Sequence, residues 1–476
     1  MSMQLATPRQ WEWSAIVPLI AGLYAIASHE HLLWWLFAGV PGVLVLASAV
    51  AMLMMPGDPR VTAYMGLGSA LGVLLSVPLV IAEGFAPALV AALLFGGSFL
   101  VAGRVGLRNE PVYEGTADLH LDWKMAFKAG MDEGVLGYFL ASASVPSGDE
   151  AARMSDEAVK LEKMLADAGW QGRPETFHKE PPPPERVQSH NARIYGVEYE
   201  RVSFDSGFSL PPDLPGAQTW LGYESNSRCV ANVLRHPGAP RPWIMCIHGY
   251  RMGTPMMDFS LFSPAYLHHH LGLNVIMPTL PLHGSRKIGM RTGDHYLDGD
   301  LLDLLYAESQ ALWDLRRWLA WLRSMEEGLS IGVYGVSLGG YNASLLAGYD
   351  DKLDFVVAGV PLVDLASGLW RYVPPMHQRY LCWRGLDQQR YQDILHIVSP
   401  LVQKPRLDAR NLHIFAATGD RIVAPRHPVM LSRHWGVPVT WYQGSHLSIR
   451  REQTPKLVLE EAMNRAGWRA GAYAAV

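Results

Sequence analysis

The residues best suited to chemistry lie in Gly335-Val336-Ser337-Leu338-Gly339, a G-x-S-x-G pattern. Ile331-Gly332-Val333-Tyr334 precedes it as a buried strand, and Gly340 to Ala347 follows as a helix that starts small. A serine at such a sharp strand-to-helix turn stands clear of the backbone, and the tight packing of the turn requires neighbours without bulk. Gly335 and Gly339 meet that requirement. The chemistry implied is nucleophilic attack by the Ser337 hydroxyl, a weak nucleophile until a base takes its proton.

Two further residues follow strand-like runs. Leu412 to Ala417 leads into Thr418-Gly419-Asp420, and Val437 to Tyr442 leads into Gly444-Ser445-His446. His446 suits the base because imidazole titrates near neutrality. Asp420 suits the carboxylate that orients the imidazole and stabilises its cation. The chain order is Ser337, Asp420, His446, each closing a predicted strand, so all three are expected at one edge of a parallel sheet. Two backbone donors are needed for the oxyanion. Leu338 N–H, directly after the nucleophile, is one. The other is expected in His248-Gly249-Tyr250-Arg251-Met252-Gly253, after the strand Pro242 to Ile247. Tyr250 N–H is favoured there over Arg251 N–H.

This pattern resembles the alpha/beta-hydrolase superfamily from about Arg193 to the C-terminus. The marks are His248-Gly249, Gly335 to Gly339, Gly419-Asp420 with Val423 and Pro425, and Gly444-Ser445-His446. Pro281-Leu282-His283-Gly284-Ser285-Arg286 is similar to the family's Gly-x-Ser loop, although the usual aspartate and arginine before the glycine are missing. The resemblance implies an α/β fold: a mostly parallel sheet flanked by helices, with a cap insertion and a serine-hydrolase site. It identifies no substrate.

Plainer roles compete for the same residues. Ser337 suits a helix N-cap, Asp420 an Asx turn, and His446 an ordinary loop histidine. Asp364, after the strand Phe355 to Val360, is a rival acid. His248 reads as a structural support of the oxyanion loop. Neighbours in His268-His269-His270 point in different directions on a helix, which disfavours a metal.

The chain has 476 residues and a formal net charge of −4, so no basic excess points to nucleic acid. Its three cysteines, Cys229, Cys246 and Cys382, have neither the number nor the spacing of a disulfide framework or zinc knuckle. No phosphate-binding glycine motif occurs, and no cofactor or metal is expected. No internal repeat stands out.

Residues 1–103 contain only Arg9, Glu12, Glu30, Asp58, Arg60 and Glu83 as charges, and no lysine. Four apolar runs, Trp13 to Ser28, Leu32 to Met55, Val61 to Ala82 and Phe85 to Val101, predict a transmembrane helical region of about four spans. Trp11, Trp13, Trp34 and Trp35 suit an interfacial belt. Gly66, Gly68 and Gly72 suit close helix approach. Arg9 and Arg60 fall on one side of a four-span arrangement, with Arg104, Arg108, Lys124 and Lys128. By the positive-inside rule both termini are expected in the cytoplasm.

Residues 104–192 read as a helical linker. It has helical stretches from Leu119 to Leu140 and Asp149 to Gly169, and ends at the stiff run Pro181 to Pro184. The hydrolase region, 193–476, carries a long helix from Gly299 to Ser324 and a cap at about 365–410. Trp370, Tyr372, Met376, Tyr380, Trp383 and Tyr391 of the cap suit either an acyl pocket or the cap's own core. Arg286, Lys287, Arg371 and Arg421 read by default as solvated charges. The expected function is a membrane-anchored serine hydrolase for an ester or thioester, with a lipid or long-chain acyl substrate and the bilayer as partner. A peptidase or amidase, and a non-catalytic membrane scaffold, are the alternatives.

Overall fold

The computed structural model describes residues 12–28, 31–144 and 146–468. Arg9, Trp11 and Glu30, named above, lie outside the described residues. The chain forms two compact units. One holds the described residues up to Ala143 together with Ala417–Pro425 and Tyr442–Glu452; the other holds Ser144–Ala416, Arg426–Trp441 and the C-terminal remainder.

The first unit is helical. Helices α1 (Ile16–Ala27), α2 (Leu32–Met54), α3 (Pro59–Glu83), α4 (Phe85–Asn109) and α5 (Trp123–Ala141) follow in order. Among the described residues three helices, α2, α3 and α4, are long and apolar enough to cross a membrane. Helix α1 is not: 12 residues at 1.5 Å each reach about 18 Å, short of the roughly 30 Å hydrocarbon layer. Helix α3 begins where Asp58 accepts a hydrogen bond from Arg60 N–H and Pro59 occupies the first turn.

Helix α5 packs closely on α3 and α4 because glycines remove side chains from the contact. A Cβ on Gly103 would overlap the Ala126 carbonyl oxygen, and one on Gly66 would lie 2.8 Å from Glu133 Cβ. The helix is two-sided. Asp132 and Glu133 are fully buried, whereas Trp123, Phe127, Met131 and Tyr138, at helical spacing, are exposed.

The second unit is built on a nine-stranded sheet. The strands are β1 (Gln188–Ile194), β2 (Val197–Asp205), β3 (Arg228–Leu234), β4 (Trp243–Ile247), β5 (Asn274–Pro278), β6 (Ile331–Val336), β7 (Phe355–Gly359), β8 (Leu412–Ala417) and β9 (Val439–Tyr442). Their order across the sheet is β1-β2-β3-β5-β4-β6-β7-β8-β9. Strands β1 and β2 form a hairpin turned by Tyr195 and Gly196, both at positive φ, and β2, β3 and β5 continue antiparallel. From β5 through β4, β6 and β7 to β8 the pairing is parallel. These central strands are buried along their whole length, which explains their continuous apolar runs. The β5-β4 exchange followed by parallel strands is the alpha/beta-hydrolase arrangement.

The larger helices and those of segment 365–410 in this unit are α6 (Gly148–Asp167), α7 (Leu301–Met325), α8 (Leu338–Ala347), α9 (Leu365–Trp370), α10 (Pro375–Trp383), α11 (Gln388–Leu395), α12 (Arg426–Trp435) and α13 (Thr454–Arg465); short helices at Pro174–Phe177, Ala217–Leu221 and Pro255–Leu261 accompany them. Helix α6 starts with a capping box between Ser147 and Glu150 and buries Ala151, Met154, Ala158, Leu161 and Leu165 in the core. The proline run is also tied down: Arg317 donates to the carbonyl of Pro183, and Arg316 to those of His178 and Lys179.

In the cap, Trp370 and Tyr391 rings lie 5.7 Å apart and pack on the core, as does Tyr380, while Met376 and Trp383 face outward. Two arginines expected in solvent are buried. Arg286 donates to Asp314 at 2.7 Å and to the Thr279 carbonyl at 2.9 Å. Arg421 lies within the first unit against Glu133, at 2.7 Å, and Glu110. A buried guanidinium requires such partners, and sequence proximity reveals none of them.

Candidate active site

Ser337 occupies the turn between β6 and α8 at φ 60° and ψ −115°. A non-glycine residue held there costs about 1–3 kcal/mol, and such strain concentrates at functional sites. The turn is wedged against neighbouring backbone. A Cβ on Gly339 would overlap the Ile247 carbonyl oxygen, and one on Gly335 would overlap that of Gly339. Glycine at 339 therefore follows from the close approach of the elbow to β4, and glycine at 335 from the tightness of the elbow itself. Leu338 opens α8, so its N–H has no acceptor within the helix.

The loop after β4 lies beside Ser337. A Cβ on Gly249 would lie 3.5 Å from Ser337 Cβ. His248 organises this loop. Its Nε2 accepts the Leu280 N–H at 3.1 Å, which leaves Nδ1 to donate to the Gly249 carbonyl at 2.9 Å. That bond fixes the planar Gly249–Tyr250 peptide and with it the direction of Tyr250 N–H. Burial pushes the His248 pKa down to about 4, so the ring stays neutral and keeps this tautomer. Arg251, at φ 60°, pairs with Asp294 at 2.8 Å and pins the next residue.

Asp420 and His446 meet within the first unit. Asp420 Oδ2 accepts from His446 Nδ1 at 2.7 Å, and Oδ1 accepts from the backbone N–H groups of Ile422 at 2.9 Å and Val423 at 2.7 Å. An ionised carboxylate only accepts, so Nδ1 carries the proton and Nε2 keeps its lone pair. The two loops are joined along the backbone as well: Thr418 N–H donates to the Tyr442 carbonyl, and Gly419 N–H to that of Gly444. Burial lowers the His446 pKa, but the Asp420 charge and hydrogen bond, with the Asp132 charge, outweigh it and raise the value above 6.5. Asp364, the rival acid, is committed elsewhere: it caps α9 through Ser367 N–H and Ser367 Oγ–H.

Asp132 and Glu133 escaped the sequence reading. Asp132 accepts from His446 N–H, Leu447 N–H, Arg421 N–H and Ser445 Oγ–H, while Glu133 takes the Arg421 guanidinium. The available signal was a pair of acids set among glycines, Gly130-Met131-Asp132-Glu133-Gly134, in a helix with few other charges on its inner face.

Over 350 residues the chain is 36% identical to the uncharacterized protein Rv2627c of Mycobacterium tuberculosis (strain ATCC 25618 / H37Rv), covering 72% of this chain and 83% of the relative. The chain belongs to that protein's family. The uncharacterized protein MT2702 of M. tuberculosis (strain CDC 1551 / Oshkosh) matches at the same identity and coverage. No family model matches this member of the Rv2627c family. Among solved structures it is similar to acetyl xylan esterase 1 from Thermoanaerobacterium sp. JW/SL YS485, at 13% identity and TM-score 0.42, covering 63% of this chain and 93% of that one. It is also similar to the acetyl xylan esterase from Paenibacillus sp. R4, at 16% identity and TM-score 0.40, covering 68% and 98%. Resemblance at this level carries no argument about substrate or catalytic residues.

Proposed function

We propose that this chain is a membrane-anchored serine hydrolase that cleaves a carboxylic ester or thioester. The observation that carries the reading is the backbone of Ser337, held at positive φ on a strand-to-helix elbow beside the Gly249–Tyr250 peptide. The Asp420–His446 hydrogen bond supports it, since it leaves Nε2 as the basic nitrogen. In the proposed reaction Nε2 takes the Ser337 proton as Oγ bonds to the acyl carbon, and the carbonyl π-electrons move to oxygen. Leu338 and Tyr250 N–H groups hold that oxyanion. When it collapses, the bond to the leaving group breaks and the imidazolium returns its proton to that group. Water then attacks the acyl-enzyme by the same steps and releases the acid and free Ser337.

A lipid or long-chain acyl substrate is proposed on grounds of location. The loops carrying Asp420 and His446 belong to the same compact unit as the three membrane-length helices. Arg421 borders Gly106 near the C-terminal end of α4, and Leu107 and Met125 border Gly419. The outward stripe of Trp123, Phe127, Met131 and Tyr138 on α5 suits contact with acyl chains. Arg60, Arg104, Arg108, Lys124 and Lys128 support a cytoplasmic hydrolase by the positive-inside rule.

A fluorophosphonate probe applied to detergent-solubilised wild type and Ser337→Ala tests the nucleophile: labelling that vanishes in the variant supports it, and absence of labelling in folded wild type rejects it. Rates on p-nitrophenyl esters should then rise with acyl length. A flat or falling series would reject the lipid substrate, and faster cleavage of an amide than of its matching ester would favour a peptidase.

A further inference from the structure

We propose that Asp132, contributed by α5 of the helical unit, is a positioning residue for the general base. The inference rests on the serine-hydrolase reading of Ser337, Asp420 and His446. Each Asp132 oxygen accepts two hydrogen bonds. Oδ1 takes Ser445 Oγ–H at 2.9 Å and Leu447 N–H at 3.0 Å, and Oδ2 takes His446 N–H at 2.8 Å and Arg421 N–H at 3.1 Å. Three of these donors flank or belong to the base, and the fourth is the residue after the acid. One side chain therefore clamps the histidine loop to the acid loop, and the clamp fixes the backbone from which His446 and Asp420 reach each other.

A carboxylate is matched to this task. It offers about four acceptor sites and no donor, and all four partners here donate. Asparagine has the same shape but would turn an NH₂ group toward two donors and forfeit both bonds. The burial is complete, so water cannot replace what is lost.

The charge also reaches the base. The carboxylates facing His446 are Asp420 on its own loop system and Asp132 on α5. Around them stand Arg421, its partners Glu133 and Glu110, and Lys128, which binds Glu452 at 2.6 Å and the Gln443 carbonyl at 3.0 Å. Burial, then the nearby Asp420 charge, lifts Asp132 to about 7, against the pull of its donors and of His446. In the ionised form Asp132 favours the imidazolium that forms during attack.

The test uses full-length protein in detergent or nanodiscs, with rates expressed per fluorophosphonate-titrated site so that misfolded material is not counted. Asp132→Asn is expected to lower kcat on a p-nitrophenyl ester about 10–100-fold, the scale of a small misplacement of a catalytic group. KM should stay within about twofold, and the acid limb of the pH–rate profile should move to lower pH. A purely structural role would reduce the number of labelled sites and leave kcat per site and the acid limb in place; that result overturns the proposal. If Asp132→Asn fails to fold, Ser445→Ala decides. It removes one donor and keeps the charge, so a fall in kcat per site of about 2–10-fold with an unmoved acid limb supports the clamp, and an unaltered kcat overturns it. Wild type that does not label at Ser337 overturns the triad reading and this proposal together. Wild type that labels beside an unaffected Asp132→Asn overturns this proposal alone.

Discussion

Ser337 is held at φ 60° and ψ −115°, and a side chain there is unfavourable whatever its chemistry. Comparing Ser337→Gly with Ser337→Ala isolates that cost, because both variants lack the hydroxyl. Alanine keeps the Cβ and therefore the strain of about 1–3 kcal/mol. Glycine relieves it but gives the unfolded chain extra freedom worth about 0.5–1 kcal/mol. The difference favours glycine by about 1 kcal/mol. For a unit of this size that is a melting-temperature difference of about 1–2 °C. Thermal unfolding of the two purified proteins in one detergent measures it directly. Both should have lost roughly 10⁴-fold or more of the esterase rate. If the glycine variant melts at or below the alanine variant, the elbow stores no strain and the argument from backbone conformation to nucleophile fails.

Other consequences follow from the same geometry. Asp420→Asn should cost roughly 10³–10⁴-fold in kcat, whereas Asp364→Asn should cost little activity and only the stability of a weakened cap; equal losses in the two would reverse the choice of acid. Because the His446 pKa is raised, kcat/KM should fall on the acid side with a midpoint above 6.5, and Asp420→Asn should move that midpoint down. The sign for stability is opposite to that for activity. The Asp420–His446 pair contributes fully below about pH 6.5, and the contribution disappears as pH rises through the folded-state pKa. The melting difference between wild type and His446→Gln should therefore narrow at alkaline pH. Arg421→Met leaves Glu133 buried without its guanidinium and should cost about 3–5 kcal/mol, with much of the loss recovered in Arg421→Met/Glu133→Gln. A thermal-unfolding difference of under about 1 °C for the single variant would contradict the buried pairing.

The legible parts of this protein were those carried by short, local patterns. The elbow showed itself because five consecutive residues must satisfy its sterics, and Asp420 and His446 because each follows a strand and a glycine. The sheet's central strands announced themselves as unbroken apolar runs. What stayed hidden was long-range. The donors to Asp132 lie 289 to 315 residues away in sequence, and no periodicity links them. Arg286 and Arg421 read as solvated in sequence because their partners, Asp314 and Glu133, lie 28 and 288 residues away. The first apolar run, Trp13 to Ser28, ends where the sequence places it, but its α-helix begins only at Ile16 after a 3₁₀ turn and so falls short of membrane length. The packing of helix 148–167 was hidden as well, since an amphipathic helix looks the same in sequence whether it packs on protein or on lipid.

The span between Asp132 and His446 also sets a timetable for biogenesis. At about 5–20 residues per second, a ribosome needs roughly 15–60 s to travel the 314 residues that separate them. During that interval helices α1 to α5 have already been synthesised, while Asp132 on α5 awaits its Ser445, His446 and Leu447 donors. Completion of the helical unit must wait for the segment Tyr442–Glu452. A nascent protein stalled or cleaved before residue 445 thus carries Asp132 without the Ser445, His446 and Leu447 donors that satisfy it in the finished fold.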